Sequence, residues 1–100
     1  MIKFWLDDER PCPSGYIGCM YVDELIQLVQ HYESLGENDF LFDLDNDLGD
    51  DAADHGGDGR NFVAWLVETW RNTKNYKIAV HSMNPVAKQA MLDSYKYDWI

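Results

Sequence analysis

The stretch that decides the fold is FLFDLDND at residues 40–47, a short apolar run that ends in acids. The same pattern opens the chain, where the run from Ile2 to Leu6 meets Asp7 and Asp8. Short apolar runs bounded by polar residues are typical of buried strands in a parallel sheet. Such strands bring their carboxyl ends, and here their acids, to one edge of the sheet.

Helical patterns separate the predicted strands. Apolar residues recur at helical spacing over Val22–Leu35 and again from Gly59 to Trp70. A third strand is predicted at Tyr76–Val80, and a poorer one at Tyr16–Tyr21. Asn84-Pro85 is typical of a helix N-cap followed by the first helical position. Strands that alternate with helices predict a parallel sheet covered on both faces by right-handed crossovers.

Composition and charge limit the classes of function. One hundred residues, 46% of them hydrophobic, suit one globular domain spanning residues 1–100. Eighteen acids against eight Lys and Arg give a net charge of −10. Such a surface disfavours anionic membranes and extended nucleic-acid duplexes, and it leaves a basic protein partner open. The chain shows no secretory leader or membrane-length apolar run, and Cys12 and Cys19 read as reduced thiols, so a cytoplasmic protein is expected.

Three of the predicted strands end in polar clusters. These are Asp7-Asp8-Glu9-Arg10, Asp43-Leu44-Asp45-Asn46-Asp47 and His81-Ser82-Met83-Asn84. If the sheet is parallel, all three clusters meet in one site.

Carboxylates so close together stay ionised only around a cation, and hard oxygen ligands select Mg²⁺, Mn²⁺ or Ca²⁺, of which Mg²⁺ or Mn²⁺ is expected here. The predicted metal ligands are Asp7, Asp8, Asp45 and Asp47. A phosphate would meet Arg10, Ser82 and the helix N-terminus at Asn84. Asp43 is either another acid of this pocket or a buried, hydrogen-bonded one, and His81 is either a site residue or a structural partner of a carboxylate. The four tryptophans are expected in the core, and Trp5 also suits the rim of the pocket.

Three ordered motifs resemble a known family. WLDDERP at residues 5–11, LDNDLG at 44–49 and VHSMNP at 80–85 are similar to the receiver-like family named for cyclic-phosphate processing. This resemblance implies a three-layer α/β/α, receiver-like (flavodoxin-like) fold with about four mostly parallel strands, truncated relative to a full receiver. It also implies metal binding by Asp7 and Asp8, with Asp45 at the receiver's phospho-accepting position and His81-Ser82 at its hydroxyl position.

Two departures separate the chain from its relatives. The family's central histidine is Asn46 here. The chain also stops at Ile100, before the fifth strand that carries a receiver's lysine, and Tyr97–Ile100 forms at most a stub. A two-component phosphorylation switch is therefore not expected.

Three functional hypotheses remain. The first is a metal-dependent phosphoesterase that opens a cyclic nucleotide or an RNA 2′,3′-cyclic phosphate end, with His81 as general acid. Its predicted catalytic residues are Asp45, His81, Arg10 and Ser82. The second is a non-catalytic module that binds a phosphorylated small molecule or RNA end in the same pocket. The third is an acidic mimic, such as a viral inhibitor, that occupies a basic partner.

Overall fold

The computed structural model describes residues 1–97 as four strands and three α-helices. The strands are β1 (Ile2–Leu6), β2 (Ile17–Cys19), β3 (Asp39–Leu44) and β4 (Asn75–Val80). The helices are α1 (Val22–Ser34), α2 (Gly59–Glu68) and α3 (Pro85–Tyr97). Two short 3₁₀ turns, which the sequence patterns did not predict, lie at Ala52–His55 and Arg71–Thr73.

The strands form one parallel sheet in the order β2-β1-β3-β4. Phe4 lies opposite Phe42, and Phe42 lies opposite Ile78, so the apolar runs stand side by side. The prediction of a receiver-like α/β fold with about four parallel strands is confirmed. The predicted strand stub at the carboxyl end lies outside the described residues, apart from Tyr97, which ends α3.

One face of the sheet carries the core. Alternate strand residues are buried there, as expected for side chains that point to opposite faces in turn. The strands contribute Phe4, Leu6, Phe40, Phe42, Leu44, Tyr76 and Val80, and the helices contribute Val22, Leu25, Val29, Phe62, Val63, Leu66 and Met91. Phe4 touches Tyr32 of α1, Phe42 touches Phe62 of α2, and the Tyr95 hydroxyl of α3 donates to the Tyr76 carbonyl at 2.6 Å. All three helices therefore pack on this face.

The second face is covered in part by the connection from β1 to β2. Trp5 makes an edge contact with Tyr16, and the Lys3 ammonium lies 5.4 Å from the centre of the Tyr16 ring. The connection is too short for a helix and holds two prolines, so the second helical layer of a full receiver is a loop here. Both later crossovers step across the sheet in the same direction, and right-handedness then puts their helices on one face.

The tryptophans do not all enter the core. Trp65 packs against it, whereas Trp70 is 68% exposed with a left-handed backbone (φ 60°). The core expectation was therefore wrong for Trp70 and for Trp5, which lies on the second face against Tyr16 and His81, and Trp99 lies outside the described residues.

An ion cluster ties the elements together at the end of the sheet opposite the acids. Glu33 of α1 accepts bonds from Arg71, from Lys74 and, at 2.8 Å, from the Tyr76 hydroxyl. Burial raises the pKa of Glu33, but these donors outweigh that effect and lower the pKa to about 2. The cluster joins α1 to the start of β4.

Candidate metal and phosphate site

Three carboxylates converge where β1 and β3 end. Asp7, Asp8 and Asp45 each offer one oxygen, and these oxygens lie within 4.8 Å of one another. The backbone hydrogen bonds of the sheet continue one residue past the strands. The backbone N–H of Asp7 donates to the Cys19 carbonyl, that of Asp45 to the Leu6 carbonyl, and that of His81 to the Leu44 carbonyl. These side chains therefore start from a rigid edge of the sheet.

The carboxylates border a cavity of about 270 Å³, called here the acidic cavity. It is lined by Asp7, Asp8, Glu9, Arg10, Asp45, Asp47, Gly49 and Met83. A larger depression of about 410 Å³ lies between α2 and α3, but its lining lacks such converging acids.

Asp7 is buried, and both oxygens of its carboxylate have hydrogen-bond partners. Its Oδ1 accepts the backbone N–H groups of Glu9 at 2.8 Å and Arg10 at 2.9 Å, and its Oδ2 lies 2.9 Å from His81 Nε2. Burial raises the pKa of Asp7, but these hydrogen bonds and the nearby imidazole outweigh it and lower the pKa. Asp7 therefore stays ionised and has little lone-pair capacity left for a ligand.

Asp45 is in the opposite electrostatic situation. Burial and the negative charge of Asp7 raise its pKa, although the Asn46 N–H donates to Asp45 Oδ1 at 2.8 Å. Gly59, at the start of α2, lies against the Asp45 backbone, and a Cβ there would overlap the Asp45 carbonyl oxygen. The packing of α2 therefore fixes Asp45 in a place where its ionised form is penalised.

Asp8 is the least encumbered of the three acids. Within residues 1–97, no hydrogen bond to its carboxylate is formed. Gly49 approaches it closely, because a Cβ on Gly49 would lie 2.7 Å from Asp8 Oδ2. Gly49 also has φ 86°, a conformation that glycine adopts without steric cost.

The two residues after Asp45 behave differently from each other. Asn46 is buried and turned to α2, where its Oδ1 accepts the Arg60 N–H at 3.2 Å and its carbonyl accepts the Gly59 N–H at 2.9 Å. Its amide also donates to Asp47 Oδ1 at 3.2 Å. Asp47 lines the acidic cavity but lies outside the three-carboxylate cluster.

His81 sits between two carboxylates. Its Nδ1 lies 2.7 Å from Asp43 Oδ1, its Nε2 lies 2.9 Å from Asp7 Oδ2, and its ring stacks on Trp5 at 3.9 Å. Asp43 was expected either as an acid of the pocket or as a hydrogen-bonded residue. In the structure its carboxylate is bonded to His81 and is not in the lining of the acidic cavity. An imidazole held in this way fixes Asp7, and His81 does not line the acidic cavity.

Of the three predicted phosphate ligands, Arg10 lines the acidic cavity, whereas Ser82 and Asn84 lie at the start of α3 and are not in the cavity lining. Arg10 crosses the sheet edge and donates from Nη1 to the His81 carbonyl at 2.7 Å. The Asn84 side chain caps α3 by accepting the Ala87 N–H at 3.1 Å, and Ser82 Oγ accepts the Asn84 N–H at 3.1 Å. Ser82 and Asn84 thus order the start of α3, while Arg10 lines the acidic cavity.

The donor set suits a hard divalent cation. Three carboxylate oxygens converge, and burial together with the charge of Asp7 raises the pKa of Asp45, a penalty on its ionised form that a cation would offset. Oxygen-only donors are those that Mg²⁺ and Mn²⁺ prefer. Sequence patterns identified these acids and placed Met83 in one of the three converging clusters, but they assigned no role in the site to Gly49, which reaches the cavity only in three dimensions.

The fold and the site together define a class of protein, namely a receiver-like α/β domain with an acidic pocket at its strand ends. The chain belongs to the family of cyclic-phosphate processing receiver domains, which it matches over residues 2–96. The family's name indicates involvement in the processing of cyclic phosphates. No curated protein and no solved structure matches the chain. Within the described residues, no helix is long and apolar enough to cross a membrane.

Proposed function

We propose that this domain is a metal-dependent phosphoesterase that opens a cyclic phosphate. The observation that carries the proposal is the convergence of Asp7, Asp8 and Asp45 within 4.8 Å. Its setting, in a domain of the cyclic-phosphate processing family, supports a phosphate ester as the substrate.

Asp8 and Asp45 would hold the cation, because Asp7 is saturated by hydrogen bonds on one oxygen and held by His81 on the other. Asp7 would support the site as a fixed negative charge. When bound, a divalent cation supplies polarisation of the phosphoryl oxygens and activation of water.

Arg10 would bind the phosphoryl oxygens. One guanidinium nitrogen is anchored on the His81 carbonyl, and a guanidinium carries further N–H donors that suit phosphate. The guanidinium would then offset charge that develops on the phosphoryl group.

The positions of His81 and Asn46 favour roles other than direct proton transfer. Both His81 ring nitrogens face carboxylates, so we assign His81 as a positioning residue for Asp7. Asn46, which replaces the histidine expected from the family resemblance, holds α2 against the sheet edge. The same observations favour the second candidate, a module that binds the phosphate without cutting it.

Purified protein should be incubated with 2′,3′-cyclic nucleotides and a cyclic-phosphate-ended RNA, with Mg²⁺, Mn²⁺ or EDTA. We expect metal-dependent ring opening that Asp45→Asn lowers about 100-fold or more, because a ligand to the catalytic cation is lost. Asp50→Asn, an exposed acid in the adjoining loop, is the matched control and should keep full turnover.

Metal-independent turnover, or turnover that survives in Asp45→Asn, contradicts the phosphoesterase. If phosphates bind only with metal and no product forms, the binding module is supported in its place.

A further inference from the structure

A second cavity adjoins the acidic cavity on the β2 side and is called here the side cavity. It measures about 230 Å³ and is lined by Trp5, Asp7, Asp8, Arg10, Cys12, Gly18, Cys19 and Met20. Asp7, Asp8 and Arg10 belong to both cavities, so a phosphate in one has its carrier molecule next to the other.

The wall of the side cavity is largely apolar beyond those shared residues. Gly18 lies opposite Trp5 in the sheet, and its missing side chain leaves room for Cys12, whose Cβ would lie 3.1 Å from a Cβ on Gly18. Burial raises the pKa of the Cys19 thiol to about 12, so this wall carries a neutral thiol. Sulfur and indole surfaces therefore face the space.

Exposed methionines stand at the rims of both cavities. Met20 is 49% exposed at the side cavity, and Met83 is 82% exposed at the acidic cavity. Both methionines therefore present apolar surface to water beside a cavity. Methionine is also flexible and polarisable, and it packs well on aromatic rings.

We propose that the side cavity holds the planar base of a nucleotide whose phosphate lies in the acidic cavity, with Met20 and Trp5 as its apolar contacts. This inference rests on the proposed function and specifies its substrate. A cyclic phosphate joins two oxygens of one carrier, so the carrier stays attached when one P–O bond breaks and must lie beside the phosphate pocket. Apart from Arg10, which both cavities share, the lining of the side cavity within residues 1–97 offers no cation to a second phosphate, which favours a neutral nucleoside over a polyphosphate.

The test compares two product-like ligands, adenosine 3′-monophosphate and glycerol 2-phosphate, by titration calorimetry in the presence of Mg²⁺. Both carry a phosphate on a secondary hydroxyl, and only one carries a base. We expect the nucleotide to bind about tenfold more tightly, because burial of the base removes apolar surface from water. Met20→Ala should bring the two affinities close together, and Met20→Leu should keep the difference.

Leu35→Ala is the matched control, since Leu35 is an exposed apolar residue just past α1 and lies in neither cavity. Gly18→Val is a second variant, whose side chain would meet Cys12 and displace it from its place in the wall of the side cavity, so it should also remove the preference. Equal affinities in the wild-type protein, no binding of either ligand, or a preference unchanged in both Met20→Ala and Gly18→Val overturns the inference. A preference for the nucleotide without any ring opening keeps the subsite and rejects the phosphoesterase; ring opening with equal affinities does the reverse.

Discussion

At the scale of single residues, the site combines one saturated acid with one free acid. Asp7 is fixed by two backbone donors and His81, while Asp8 has no such partner in the described part of the chain. Neighbouring residues in a β-like segment point in different directions, which explains why consecutive aspartates differ so much. The sequence showed two equivalent acids, and only their hydrogen bonds tell them apart.

Gly49 controls the free acid. Gly49→Ala should weaken Mg²⁺ binding about tenfold, because the new Cβ would lie 2.7 Å from Asp8 Oδ2 and displace that carboxylate. It should also cost about 1 kcal/mol of stability, from the left-handed backbone. Calorimetric Mg²⁺ titration and urea unfolding measure the two effects.

Gly15→Ala provides the control for Gly49→Ala. Gly15 has the same φ of 86° and no atom within 4 Å of its would-be Cβ. It should therefore show the stability cost alone, and an equal loss of Mg²⁺ affinity in both variants would contradict the role given to Gly49.

At the scale of elements, sequence patterns located the strands and helices well. β1 and the start of α1 match their predicted positions, and β3 and β4 each begin one residue earlier than predicted. The strand predicted at Tyr16–Tyr21 was too long. Within residues 1–97, β2 spans only Ile17–Cys19. The packing of helices on one face escaped prediction, since it depends on the order of the strands in the sheet rather than on any local periodicity.

The Glu33 cluster is a contact between elements whose contribution to stability should depend on pH. Its folded pKa of about 2 lies below the ordinary 4.5, so its stabilisation is fully present above pH 4.5 and is lost as the pH falls toward 2. Glu33→Gln should lower the free energy of unfolding by about 2 kcal/mol at pH 7, because three donors lose their charged partner. Urea unfolding at pH 7, 5 and 3 measures the difference, which should shrink at the lowest pH.

Glu37→Gln is the control for this pH series, as Glu37 is exposed just beyond α1. A difference between wild-type protein and Glu33→Gln that stays constant from pH 7 to pH 3 would count against the ion cluster as its source.

At the scale of the whole molecule, negative charge dominates. The net charge of −10 makes the folded chain repel itself, and the acids at the sheet edge add a local excess. The convergence of these acids was predictable because a parallel sheet collects its strand ends at one edge. A carboxylate partner for His81 was one of two alternatives, but its contacts with both Asp43 and Asp7 could not be predicted, because they depend on the orientation of one ring in the folded structure.

Salt and Mg²⁺ should stabilise the protein by different routes. NaCl should raise the melting temperature gradually by screening repulsion, and Mg²⁺ at equal ionic strength should raise it further by binding the carboxylates. Asp45→Asn should keep the NaCl effect and lose the additional Mg²⁺ effect. Thermal unfolding with both salts measures this, and an identical response to both salts in the wild-type protein would argue against a bound cation.

The missing helical layer on the second face also bears on the rate of the proposed reaction. A loop rather than a helix closes that side, and Arg10, Asp47 and Met83 at the acidic cavity are all exposed. A substrate of the proposed reaction would reach the carboxylates, and its product would leave them, without the movement of a lid formed by residues 1–97. In many enzymes a lid closes over the substrate, and the opening of that lid sets the turnover rate. Here chemistry at the phosphate should set it, so slower-reacting substrates such as phosphorothioates should show their full intrinsic rate difference.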